Sequence, residues 1–93
     1  MIVSVCVVAY NEEKVLGKLL EDIQAQDYDH GKMEVVLIDS MSTDSTKEIM
    51  DRFQQQMTDF KNVQVLKNPG KKQASGWNVA IKNFSGDVMI RVD

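Results

Sequence analysis

The stretch Val35-Val36-Leu37-Ile38-Asp39-Ser40-Met41-Ser42-Thr43-Asp44-Ser45-Thr46 passes from four apolar residues to a carboxylate and then to a run of hydroxyl side chains. A short apolar run without alternation reads as a strand buried on both faces, and its polar end delivers side chains to one edge of a sheet. Beyond it, Thr46, Ile49, Met50, Phe53 and Met57 recur at helical spacing, so the hydroxyl cluster is also the entrance to an amphipathic helix. Strand, polar turn and helix make half of a βαβ unit.

Working outward, Ile2 to Val8 is rich in β-branched residues and reads as a first strand. Asn11 stands where it can cap a following helix, with Glu12 and Glu13 in the first turn, and Val15, Leu16, Leu19, Leu20 and Ile23 form its apolar stripe. That helix ends near Gln26, before the polar turn Asp27 to Lys32. The second strand spans Glu34 to Ile38 and the second helix Asp44 to about Met57, with Ser45 and Glu48 at capping-box spacing. Val63 to Leu66 is a third strand, stopped by Asn68-Pro69-Gly70. Lys71-Lys72 leads into a third helix on which Ala74, Trp77, Ile81 and Phe84 share a face. After the turn Ser85-Gly86-Asp87, Val88 to Val92 is a fourth strand reaching Asp93.

Strands separated by helices without interruption predict an α/β fold, a Rossmann-like parallel sheet with helices on both faces. Ligands of such sheets sit outside the carboxyl ends of the strands. That rule gathers Ala9 to Glu12, Asp39 to Ser42, Asn68 to Lys72, and Asp93 into one place. The segment after the first strand, Ala9-Tyr10-Asn11-Glu12-Glu13, holds no glycine, and P-loop spacing is absent, which removes most of the weight from a NAD or ATP reading.

Composition sets further bounds. The chain has 93 residues, 43% hydrophobic and 27% charged, as in one small globular domain. A net charge of -3 argues against an extended basic face for nucleic acid. Cys6 is the one cysteine and lies in an apolar run, so we expect a buried structural thiol and a reducing compartment. The opening residues lack a basic leader and are too few to span a bilayer, so neither a signal peptide nor an anchor is expected.

Single residues leave alternatives open. Asp39 at a strand end can accept from a base or ribose, coordinate a hard cation, or cap the next helix. Asp44, at the head of a helix, suits free amides. Asp93 suits Mg²⁺ or Mn²⁺ held jointly with a diphosphate, or is an ordinary loop acid. Lys71 and Lys72 precede a helix start, where a lysine meets phosphate oxygens or is simply solvated. Trp77 reads as core and His30 as a surface residue.

Taken together and in order, Val3 to Glu13, Ile38 to Thr46, Asn68-Pro69-Gly70-Lys71-Lys72-Gln73-Ala74, and Ser85-Gly86-Asp87 with Asp93 resemble the nucleotide-binding half of family 2 glycosyltransferases. These are inverting, metal-dependent enzymes of the GT-A fold. The wording Ile90-Arg91-Val92-Asp93 is similar to the subgroup that assembles bacterial exopolysaccharides such as succinoglycan. The pattern departs from the family at Val8, where many members have proline, and at Ser40, Met41 and Ser45, where many have glycine.

The resemblance implies that Ala9, Tyr10 and Glu12 line a uridine pocket, that Asp39 contacts the base, and that Ser42 belongs to the same binding set. It implies that Lys72 approaches the uracil or the diphosphate and that Asp93 is the first acid of a metal motif for Mg²⁺ or Mn²⁺. Asp44 is structural in that pattern. Residues 1–93 are then the nucleotide-sugar-binding portion of a glycosyltransferase domain, with the general base beyond residue 93 and no catalytic residue within the chain. The implied parent transfers sugar from a UDP-sugar to a saccharide or lipid-linked acceptor, in the cytoplasm or at its membrane face. Competing expectations are a non-catalytic module that forms a homodimer through an exposed sheet edge, and a nucleotidyltransferase of related fold.

Overall fold

The apolar runs form four parallel strands, β1 (Val3–Ala9), β2 (Met33–Asp39), β3 (Asn62–Lys67) and β4 (Val88–Val92), in the order β3-β2-β1-β4. They alternate with helices α1 (Glu13–Gln24), α2 (Thr46–Gln56) and α3 (Gln73–Asn83) in a computed structural model that describes residues 1–92. Every residue of β2 is buried, as its lack of alternation requires. Val5 and Val7 of β1 with Val35 and Leu37 of β2 pack against Leu16, Leu20 and Ile23 of α1 and Met50 and Phe53 of α2. Cys6, Val36 and Ile38 face the other way, against Trp77 and Ala80 of α3. The sheet is therefore covered on both faces, and Cys6 is a fully buried free thiol. No helix among the described residues is long and apolar enough to cross a membrane.

Register brings the strand ends level. Ala9 pairs with Asp39, Asp39 with Lys67, and Val7 with Val92, so the loops after β1, β2 and β3 leave from one edge, the edge toward which β4 also runs. The opposite pole is tied by Glu34, which is completely buried and has no cationic partner among the described residues. Its carboxylate accepts from Ser4 Oγ at 2.8 Å, Asn62 Nδ2 and Gln64 Nε2 at 2.9 Å each, and the Ser85 amide at 2.8 Å and hydroxyl at 2.9 Å. Burial pushes the Glu34 pKa up, but the bonds from Ser85, Gln64, Asn62 and Ser4 together outweigh it and hold the group at about 2.

Several local expectations are corrected. Asn11 does not cap α1: its φ is 50°, and Glu12 occupies the cap position without a side-chain bond. The capping box of α2 does not form, because Ser45 makes no cap bond and Asp44 takes that task. Val15 and Ile81 are 57% and 56% exposed rather than apolar-face residues. On α3 the buried face is Gly76, Trp77 and Ala80 instead, since small residues let the helix approach β1 closely. His30 is no free surface residue either: it stacks on Phe60 at 4.3 Å, and its Nδ1 lies 2.6 Å from Asp59 Oδ2.

That close approach is testable. A Cβ on Gly76 would lie 2.5 Å from Val8 Cγ1 and 3.1 Å from Asn68 Nδ2. In an open helix Gly to Ala gains up to about 1 kcal/mol, whereas overpacking costs about 1–3 kcal/mol. Gly76→Ala should therefore lower the urea midpoint; a raised midpoint would show that α3 has room to move.

Candidate functional site

Three loops at the carboxyl edge are stapled to one another by side chains. The Ser40 amide donates to the Ala9 carbonyl at 2.9 Å and the Asn68 amide to the Asp39 carbonyl at 2.8 Å, extending the ladder one step past the strands. Asn11 Oδ1 accepts from the Thr43 amide at 2.8 Å and the Asp44 amide at 3.4 Å, while its own amide donates to Ser42 Oγ at 2.9 Å. The Glu12 amide donates to Thr46 Oγ1 at 2.9 Å. Asn68, 1% exposed, donates from Nδ2 to Ser40 Oγ at 3.0 Å and to the Lys72 carbonyl at 2.8 Å, and its Oδ1 accepts from Ser75 Oγ at 2.8 Å.

Among the described residues, the non-glycine positions with positive φ are Asn11 (50°), Met41 (64°) and Lys71 (64°), one in each of these loops. A left-handed residue with a side chain costs of order 1 kcal/mol or more and persists where its surroundings over-determine it. All three strained positions lie at the carboxyl edge, the edge at which ligands of parallel sheets bind. Met41 carries the strain with little packing in return, being 39% exposed. Met41→Gly should relieve about 1–2 kcal/mol against an entropic cost of about 0.5–1 kcal/mol, for a small net gain in thermal stability. Met41→Ile, β-branched and left-handed, should lose about 1–2 kcal/mol in the same melt.

The expected site residues are brought together in part. Ala9 and Asp39 are buried at paired strand ends, and Asp39 Oδ1 accepts from the Ser42 amide at 3.2 Å. Ser42 is thus committed twice, to Asp39 and to Asn11. Tyr10, 52% exposed, stands beside them. Glu12 is exposed at the head of α1. Val8, Tyr10, Ser40, Lys71 and Gln73 line an open cleft of about 220 Å³ at this edge. Lys72 is exposed, and its carbonyl receives Asn68 Nδ2 and Ser75 Oγ. Asp44 serves the α1 and α2 amides: Oδ1 accepts from the Thr46 amide at 2.9 Å and Oδ2 from the Glu13 amide at 3.3 Å. Burial would raise its pKa, but the bonds from Thr46 and Glu13 outweigh it and hold it below the usual carboxylate range. The structural reading of Asp44 stands.

Asp93 lies outside the described residues. No group of three or more His, Cys, Asp or Glu that could hold a metal occurs among the described residues. Asp39 and Asp44, the acids of the β2–α2 loop, already accept backbone amides. The described residues therefore do not make a metal centre by themselves. Sequence reasoning gathered Asn68 to this edge as a strand stop but missed its role as the buried pin of the β3–α3 turn, and it missed Asn11 as a loop staple.

An all-parallel sheet flanked by helices, with its polar, strained loops at the carboxyl edge, defines a Rossmann-like α/β domain. Comparison with known proteins gives the family. The model of Glycosyl transferase family 2 matches residues 4–93. The chain is 34% identical over 88 residues to a dolichyl N-acetyl-alpha-D-glucosaminyl phosphate diacetamido-dideoxy-glucuronosyltransferase of Methanococcus voltae, covering 95% of this chain and 27% of that one. It is 36% identical over 93 residues to the poly(ribitol-phosphate) beta-N-acetylglucosaminyltransferase TarS of Staphylococcus aureus, covering 97% of this chain and 15% of that one. Its fold superposes on the Pyrobaculum calidifontis mannosyltransferase PcManGT, solved with GDP-Man and Mn²⁺, with a TM-score of 0.83 at 32% identity, covering 92% of this chain and 25% of that chain. The TarS fragment solved with UDP-GlcNAc gives 0.77 at 31% identity, covering 100% of this chain and 26% of that chain. The chain belongs to glycosyl transferase family 2, and its sheet corresponds to the N-terminal part of the GT-A fold.

Proposed function

We propose that this chain is the donor-binding half of an inverting glycosyltransferase that uses a UDP-sugar. The observation that carries the reading is the convergence of Ala9, Tyr10, Asp39 and the Asn68–Gln73 turn on one strained, stapled edge of a parallel sheet. Support for a nucleotide donor comes from relatives solved with UDP, UDP-GlcNAc and GDP-Man.

In this reading Tyr10 stacks on the base, Asp39 accepts from it, and Ala9, Glu12 and Ser42 shape the base and ribose pocket. Lys72 meets the diphosphate, whose negative charge grows as the sugar departs. A divalent cation, Mg²⁺ or Mn²⁺, neutralises the same group when bound, and Asp93 is its proposed protein ligand. The acceptor hydroxyl, activated by a base outside this chain, attacks the anomeric carbon once and inverts it. The acceptor is a saccharide or a lipid-linked saccharide, and the setting is exopolysaccharide or cell-surface glycan synthesis in the cytoplasm or at its membrane face.

Calorimetric titration with UDP, with and without Mn²⁺, tests the reading. Saturable binding tightened by Mn²⁺ is expected, and binding that is absent or indifferent to the metal counts against it. A second reading, self-association through β4, draws on Val88 and Ile90, 40% and 46% exposed on that edge strand. Light scattering showing a dimer, combined with no nucleotide binding, would favour it.

A further inference from the structure

β4 is the edge strand of the sheet, hydrogen-bonded to β1 alone among the described residues. No helix of the described residues packs broadly over it. An edge with a row of unpaired backbone groups is a template for another strand unless its side chains prevent it.

Backbone direction alternates along the strand. Val88 pairs with Val3 and its amide donates to the Ile2 carbonyl at 3.3 Å, so Val88, Ile90 and Val92 turn their amides and carbonyls toward β1. Met89 and Arg91 turn theirs outward. Side chains alternate as well. Val88 and Ile90, 40% and 46% exposed, stand on the α1 side, where Ile90 and Val92 border an apolar groove of about 530 Å³ with Val3, Val5 and Leu19. Arg91 stands on the α3 side, its guanidinium carbon 4.5 Å from the centre of the Trp77 ring, and Met89 packs on that side too. Asp87, just before the strand, accepts from the Ile2 amide through Oδ2 at 2.8 Å. Neither Asp87 nor Arg91 forms an ion pair among the described residues.

We propose that this edge pairs with the same edge of a second copy of the chain, antiparallel and centred on Met89, joining two sheets into one. A two-fold axis makes such a contact self-complementary. Register decides which side chains meet. The outward backbone groups confine the hydrogen-bonded pairs of an antiparallel ladder to Asp87, Met89 and Arg91. Centring on Asp87 or on Arg91 sets like charges face to face, and centring on Val88 or on Ile90 sets Asp87 or Arg91 against Met89. Centring on Met89 alone sets Asp87 of each copy opposite Arg91 of the other, giving two ion pairs from one geometry. The same register places Val88 of each copy across from Ile90 of the other on the α1 side, an apolar ladder beside the groove. The stack on Trp77 holds the guanidinium in place before the second copy arrives, which lowers the ordering cost. The inference deepens the self-association reading above and rests on it; the loops after β1, β2 and β3 stay outside the contact.

Sedimentation equilibrium over a dilution series tests it on the unaltered chain, Arg91→Asp, Asp87→Arg, Arg91→Lys and an equal mixture of the first two variants, with a thermal melt of each to check the fold. The unaltered chain should be a reversible dimer. Each charge reversal opposes like charges at two places and should weaken the dimer by about tenfold or more. In a mixed pair of the two reversed variants every opposed pair again carries opposite charges, so the mixture should recover the association that each has lost. Arg91→Lys keeps the charge and should keep the dimer, which leaves the comparison with Arg91→Asp decisive even where Asp87→Arg fails to fold. A dimer indifferent to Arg91→Asp, or a mixture of folded variants that recovers nothing, overturns the Met89 register while self-association stands. Tighter association of Arg91→Asp means that Arg91 guards the edge, and overturns the proposal as well. A chain that stays monomeric throughout the series removes the self-association reading with it.

Discussion

Glu34→Ala should destabilise the chain by about 3–5 kcal/mol, enough to unfold a large fraction of a domain whose total stability is about 5–15 kcal/mol. The substitution strands donors from Ser4, Asn62, Gln64 and Ser85 around a buried gap. Two of these, the Ser4 hydroxyl and the Ser85 amide, anchor the start of β4, since the Gly86 amide also bonds Ser4 Oγ. Glu34→Gln keeps the shape but turns an amide donor toward other donors, so it should also lose stability, by less. Acid provides an independent check. Glu34 has a folded pKa of about 2 against an ordinary 4.5, so its stabilisation is complete above about 4.5 and is lost as pH falls through about 2. That shift corresponds to about 3 kcal/mol. Urea midpoints should fall steeply below pH 4.5, and Glu34→Gln should flatten that fall; an unchanged acid limb in the variant would mean that other groups control it.

Asp39→Ala should weaken UDP binding by about 30-fold to 100-fold, the equivalent of roughly 2–3 kcal/mol for a hydrogen bond to a charged acceptor. Part of that loss is local, because Asp39 Oδ1 also accepts the Ser42 amide and so shapes the loop. Asp39→Asn separates the two effects. It retains an acceptor for Ser42 and removes the charge, so the melting temperature should stay near that of the unaltered chain while affinity still falls. If Asp39→Asn binds UDP at full strength, the base reading of Asp39 is wrong and its task is to order the β2–α2 loop.

β1 and β2 were readable from sequence because burial on both faces leaves a nearly continuous apolar run, and β2 is the clearest case; β3 and β4, only partly buried, admit Gln64 and Arg91 yet keep enough β-branched residues to read as strands. Their ends were readable because Asp39, Asn68 and the hydroxyl cluster break those runs abruptly. What hid was whatever depends on three-dimensional register. Glu34 looked like the polar start of a strand, and only its pairing with Ser4 across β1–β2 reveals the buried network. Gly76 and Ala80 compete with Ile81 for the same helical periodicity, and the choice follows from how near α3 comes to Val8. Positive φ at Met41 and Lys71 has no sequence signature in those residue types, whereas asparagine at position 11 is the kind of residue that tolerates it. Asp44 was legible because carboxylates at helix heads have few other tasks.

Convergence of the three loops on one nucleotide is the claim from which the others follow, and amide shift mapping by NMR tests it residue by residue. On adding UDP with Mg²⁺, the amides of residues 9–12, 39–44 and 68–75 should move together with a single affinity, while Glu34, Ser85 and Gly86 at the opposite pole stay still. Shifts centred on that opposite pole, or confined to one loop, would contradict it.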